Sequence, residues 1–123
     1  MTSEDKIGQW HGLTVDCPDP DALAAFYQRL LGMIRVQQDD GFIVIGDAAD
    51  RPGVAFQRVD DFRAPRWPDP ARPQQMHFEV RVDDLDAAEA RVLSIGGARL
   101  DGGGERFRVC ADPVGHPFCL VSW

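Results

Sequence analysis

Residues 76–83 begin a second copy of a pattern already used near the N-terminus, and this repetition constrains the chain more than any other feature. In this stretch Met76, Phe78, Val80 and Val82 take one face and His77, Glu79 and Arg81 the other, the period of a half-buried strand. Asp83 and Asp84 then offer a helix cap. Leu85, Ala88, Val92 and Ile95 recur at helical spacing, and Gly96 and Gly97 supply the left-handed stop. Residues 107–112 have strand character, and Pro113, Val114, Gly115 and His116 turn the chain into a last strand over 118–123.

The first half follows the same plan. Residues 10–16 alternate as a strand, and Asp19 and Pro20 open a helix. Its buried stripe is Leu23, Phe26, Tyr27, Leu30 and Leu31, before Gly32. Phe42 to Asp47 matches Phe107 to Asp112, 65 residues on, and Val15 and Asp16 match Val82 and Asp83, 67 residues on. In a chain of 123 residues, two such units must share one core, because neither can bury its helix alone. The expected class is α+β: two tandem β-α-β-β-β units forming a cleft-enclosing mixed sheet in a single domain over 1–123. Unit one spans about 7–59, a linker 60–75 and unit two 76–123. The linker holds four prolines and no periodicity, so it reads as a partly rigid connector outside the core, exposed and anchored by Trp67; the alternative is that its arginines and Trp67 line a ligand mouth or a subunit contact.

Composition narrows the function. At 44% hydrophobic and 27% charged the chain is an ordinary globular domain. No apolar run is long enough to span a bilayer, and residues 1–6 lack the apolar region of a signal peptide, so a cytoplasmic protein is expected. Cys17, Cys110 and Cys119 are odd in number and lack paired spacing, which favours reduced thiols over a disulfide framework. A net charge of −7 argues against nucleic acid and anionic membrane surfaces as partners. It is compatible with a cationic ligand, or simply with a solvated acidic surface.

The helices cover one face of each sheet, so a site belongs on the other. Strand parity puts Trp10, Gly12, Thr14 and Asp16, then Ala55 and Gln57, on that open face in unit one. In unit two it puts His77, Glu79 and Arg81, then Cys119, Val121 and Trp123, there. His116, in a turn, is expected to be solvent-exposed.

These residues carry a resemblance. His77 on the first strand of unit two is followed by residues 82–88 (VDDLDAA), then 95–98 (IGGA), then 112–121 (DPVGHPFCLV). With the repeat, this resembles the vicinal oxygen chelate superfamily, the group of glyoxalase I, the bleomycin-resistance proteins, extradiol dioxygenases and fosfomycin-resistance thiol transferases. Residues 56–59 (FQRV) and 118–120 (FCL) are most similar to its glyoxalase-like domain branch. The resemblance implies the glyoxalase/bleomycin resistance/dioxygenase fold. It also implies that a metalloenzyme would draw His, Gln or Glu from the first and last strands of each unit. His77 matches such a position and Gln57 is a weaker oxygen donor, so these two are the metal candidates. Trp10 stands at a third position, where it cannot bind metal. Cys119 stands at the fourth, where the enzymes have Glu.

Two readings follow. One is a metal-free small-molecule binder, a homodimer with aromatic-lined clefts, whose candidate contacts are Trp10, Thr14, Phe56, Gln57, Trp67, His77, Glu79, Cys119, Val121 and Trp123. No cofactor is expected in it, and the affinity for divalent ions should be weak. The other is a lyase, isomerase or dioxygenase using Zn, Ni, Mn or Fe on His77 and Gln57. In that case Glu79 is the candidate general base, with an ion pair to Arg81 or Arg58 as its plainer role. Cys119 reads most simply as a small buried filler.

Overall fold

The computed structural model describes residues 8–74 and 76–122. Unit one contains β1 (Gly12–Cys17), α1 (Pro20–Leu31), β2 (Ile34–Asp39), β3 (Phe42–Gly46) and β4 (Gly53–Arg58). Unit two contains β5 (Phe78–Arg81), α2 (Leu85–Ser94), β6 (Ala98–Gly103), β7 (Phe107–Ala111) and β8 (Pro117–Val121). The strand orders are the same in both, β1-β4-β3-β2 and β5-β8-β7-β6. In each sheet the first strand pairs in parallel with the last and the other pairings are antiparallel. This is the expected α+β architecture of two tandem β-α-β-β-β units with mixed sheets.

Local chemistry explains the helices. Asp19 caps α1 by accepting from the Ala22 amide, Pro20 occupies its first turn, and Gly32 ends it at φ 69°. Its stripe of Leu23, Ala24, Phe26 and Tyr27 is buried, and each large side chain of this kind contributes roughly 1.5–3 kcal/mol. Asp84 caps α2 in the same way, but α2 fully buries only Val92. Arg108 on β7 supplements that thinner contact by pairing with the exposed Asp86 and the half-buried Glu89 of α2.

A single core spans both units. It joins Val15, Cys17, Ile43, Ile45, Val54 and Phe56 of the first sheet to Cys110, Phe118 and Leu120 of the second through α1 and Val92. Tyr27 lies at the junction, its ring stacked 5.4 Å from Phe56 and tilted 5.4 Å from Phe78. The first and last strands of unit one approach too closely for side chains at Gly12 and Gly53. A Cβ at Gly12 would strike the Gly53 carbonyl, and one at Gly53 the Ile45 carbonyl.

Three local expectations are corrected. Trp10 precedes β1 instead of belonging to it and is 70% exposed, because pairing with β4 starts only at Gly12. Phe56 is not a cleft wall: on β4 it shares the helix-facing side with Val54, and its neighbours Ala55 and Gln57 take the other. Trp67 anchors the linker on a second cluster of Val109, Cys119 and Val121, apart from the main core. His116 is half-buried instead of exposed, because both ring nitrogens are engaged. Trp123 lies outside the described residues.

Candidate functional site

A cleft of about 530 Å³ opens where β1 and the approach to β5 come together, beneath the linker. Its floor is Thr14, Asp16, His77 and Phe78, and the returning chain from Val59 to Gln74 supplies Asp61, Phe62, Arg63 and Arg72 along the rim. The Arg72 guanidinium is held by the Ala64 carbonyl at 3.3 Å, which ties the two limbs of the linker together. The remaining wall is apolar, from Leu13, Pro65, Pro73, Met76 and Pro117. Such a mixture suits a compact, mostly apolar molecule with a few polar groups.

One side of this cleft is fixed by Asp112, a buried carboxylate at the turn into β8. Its Oδ1 accepts from the amides of Val114, Gly115 and His116 at 2.9–3.0 Å. Its Oδ2 accepts from the Tyr27 hydroxyl at 2.8 Å and from His116 Nδ1 at 2.6 Å. The other His116 nitrogen, Nε2, faces the Asp16 carbonyl of β1 at 2.9 Å. Both ring nitrogens therefore face acceptors, and His116 bridges the two units at the cleft edge. Phe62 lies against its ring at 5.4 Å. Burial, with Asp112 next in importance, pushes the Tyr27 hydroxyl well above the usual phenol range, so it remains a donor.

Beside the cleft, His77, Glu79 and Cys119 come together, with one donor atom from each within 4.8 Å of the others. Strand geometry causes this. His77 and Glu79 are two residues apart on one face, and Glu79 is directly opposite Cys119 in the parallel β5–β8 pair. His77 Nε2 is 2.7 Å from Glu79 Oε1, so the partner of Glu79 is His77, not Arg81 or Arg58. Burial raises the Cys119 thiol above its ordinary range, and the Glu79 charge adds to this.

The donor set fits a zinc ion in number and kind. Imidazole, carboxylate and thiolate are all zinc ligands, and a tetrahedral ion separates its donors by roughly 3.3–3.8 Å. Here the three donors lie within 4.8 Å of one another, with His77 Nε2 and Glu79 Oε1 at 2.7 Å. Sequence reasoning paired His77 with Gln57, whereas Gln57 is exposed on β4 opposite Asp16 and Phe42. The signal for Glu79 was present in the sequence as same-face parity with His77; the register that sets it against Cys119 was not.

Of the ten sequence-derived contact residues, Thr14 and His77 line the cleft. Glu79 and Cys119 form the donor group with His77. Val121 packs with Cys119 under Trp67, whose indole donates to the Asp101 carbonyl at 2.8 Å. The linker arginines were an alternative lining of a ligand mouth, and Arg63 and Arg72 do line the cleft. Sequence reasoning missed Asp16 as a bridge point, and it missed Phe62 and His116, because linker and turn residues show no periodicity from which to place them.

The family described as "glyoxalase-like domain" matches residues 12–121. No curated protein sequence matches the chain. Among solved structures, a glyoxalase/bleomycin resistance protein/dioxygenase family enzyme from Burkholderia phytofirmans PsJN superposes with a TM-score of 0.72 at 14% identity, covering 90% of this chain and 95% of that one. A glyoxalase-related enzyme from Fulvimarina pelagi gives 0.69 at 20% identity, covering 95% and 89%. A glyoxalase/bleomycin resistance protein from Albidiferax ferrireducens T118 gives 0.64 at 15% identity, covering 93% and 98%. At these identities the likeness is one of fold.

Proposed function

Since the chain belongs to the glyoxalase-like domain family of the vicinal oxygen chelate superfamily, we propose that it is a small-molecule-binding protein whose ligand enters the cleft between its two units. The observation that carries this reading is the cleft itself. Its volume of about 530 Å³ lies within the range of sites that enclose drug-sized molecules. Thr14, Asp16 and His77 offer hydrogen bonds from the floor, and Arg63 at the rim offers a charge. Phe62 and the prolines supply apolar contact. The ligand class is a compact, largely apolar molecule with one or two polar groups, and binding of this kind needs no metal.

The proposal includes a two-fold dimer in the cytoplasm. Trp10, Ile34 and Met76 are 70%, 57% and 61% exposed next to the outer strands of the sheets, an apolar excess that pairing of two copies would cover. Among the described residues no helix is long and apolar enough to cross a membrane.

A second reading, a divalent-metal-dependent lyase, isomerase or dioxygenase, is favoured by one observation. The donor group of His77, Glu79 and Cys119 shares His77 with the cleft lining. An ion held there would act as a Lewis acid. The test of the binding reading is a thermal-shift screen of a fragment library on the wild type and on Thr14→Trp, which fills the cleft from the floor. Hits that stabilise the wild type and not Thr14→Trp support it. Hits that stabilise both equally would place binding elsewhere.

A further inference from the structure

We infer that a groove between α1 and α2, on the helix-covered side of the second sheet, binds an aliphatic monocarboxylate. This goes beyond the cleft reading and does not depend on it. The groove has a volume of about 400 Å³, within the range of sites that enclose small molecules. It exists because α1 and α2 make little direct contact with each other, and because Ala87 and Ala88 of α2, which border the gap, are too small to fill it. Its floor is apolar: Leu30, Val80, Val82 and Ile95 are half-buried above the buried Val92 and Leu120.

The rim supplies the charge. Arg29 lies in the last turn of α1, Arg81 is the last residue of β5, and Arg91 lies in the last turn of α2; all three are exposed and border the groove. Among the described residues none of these guanidinium groups has an ion-pair or hydrogen-bond partner, whereas Arg35, Arg58, Arg99 and Arg108 are each paired with a carboxylate. A place in the last turn offsets a helix dipole, which accounts for Arg29 and Arg91 singly. It does not account for Arg81 or for the groove that the three share. In a chain of net charge −7, three unpaired guanidinium groups around one apolar groove match an acidic headgroup on an apolar chain. Asp83 and Asp84 also border the groove and narrow the headgroup. Three arginines against two aspartates leave one positive charge, which suits a carboxylate and disfavours a dianionic phosphate. Asp84 is moreover committed to the α2 cap, where it accepts from the Ala87 amide at 3.1 Å.

Octanoate is the probe, read by the amide chemical shifts of the whole chain. It should bind saturably, with perturbations concentrated on Arg29, Arg81, Ala87, Ala88, Arg91 and Ser94. Octanol, which lacks the charge, and acetate, which lacks the chain, should each bind roughly tenfold or more weakly. The pair Arg81→Gln and Arg91→Gln should weaken octanoate by roughly tenfold, and added salt should weaken it in the wild type. Ala87→Trp, which fills the groove from an exposed position, should abolish binding. Octanol binding as well as octanoate, octyl phosphate binding more tightly than octanoate, affinity unchanged in the arginine pair or in Ala87→Trp, or no saturable binding to the wild type would each overturn the site. So would octanoate perturbations centred on Thr14 and Asp16 that vanish in Thr14→Trp, which would put the carboxylate in the cleft. Hits that belong to the cleft are lost in Thr14→Trp and kept in Ala87→Trp, so the two proposals fail separately.

Discussion

The Tyr27 hydroxyl donates to the Asp112 carboxylate at 2.8 Å, joining the helix of unit one to the β7–β8 turn of unit two across 85 residues of sequence. Asp112 also holds its own turn and His116, so one buried carboxylate ties together the core, the last strand and the cleft edge. Tyr27→Phe removes a single bond and should cost about 1 kcal/mol. Asp112→Ala leaves several donors unpaired and should cost roughly 3 kcal/mol or more. Urea unfolding should show both effects in one transition, because the core is continuous between the units. Two separate transitions in the wild type would contradict a shared core.

The close approach of β1, β4 and β3 predicts sharp intolerance at two glycines. Gly53→Ala and Gly12→Ala each drive a methyl group into a backbone carbonyl and should destabilise by roughly 1–3 kcal/mol or more. Gly8→Ala, with nothing near its Cβ, should be neutral. Comparison of thermal midpoints checks this.

Alkaline stability should reflect Cys17. Burial, with the Asp19 and Asp112 charges behind it, pushes this thiol from 9.0 up to about 11. Between those values the unfolded chain releases the proton and the folded chain keeps it. The folded state is thus favoured fully below pH 9 and loses that advantage as pH rises toward 11. Urea midpoints measured from pH 8 to pH 10.5 should fall less steeply for Cys17→Ala than for the wild type. Parallel slopes would show that Cys17 is not the cause.

Trp67 predicts a reactivity pattern. It covers Val109, Cys119 and Val121, while Cys17 and Cys110 are wholly buried. A thiol reagent at neutral pH should react slowly with native protein. Trp67→Ala should accelerate reaction at Cys119 alone, at a stability cost of about 1–2 kcal/mol for a partly buried indole. Acceleration at Cys110 instead would mean that the substitution loosens the main core.

What could be read in the sequence followed periodicity. The β1 and β5 alternation, the Asp19 and Asp84 caps and the glycine stops all act within a few residues, and the repeat and its family followed from them. β2 and β6 were not individually visible, since Ile34–Asp39 and Ala98–Gly103 are mostly exposed edge strands with register shifts and no apolar alternation. The site was legible only in part, because its remaining contacts are long-range. His116 reaches the Asp16 carbonyl 100 residues away, and Trp67 reaches the Asp101 carbonyl across 34. Phe56 shows the opposite failure: an aromatic residue in a promising segment belongs, by parity, to the core.

The central claim is that the cleft between the units is the ligand site, and amide chemical-shift mapping with hits from the fragment screen tests it most directly. Perturbations should concentrate on Thr14, Asp16, Phe62, Arg63, His77 and His116. Perturbations centred on the groove of Arg29, Arg81 and Arg91, or on no contiguous surface, would contradict it.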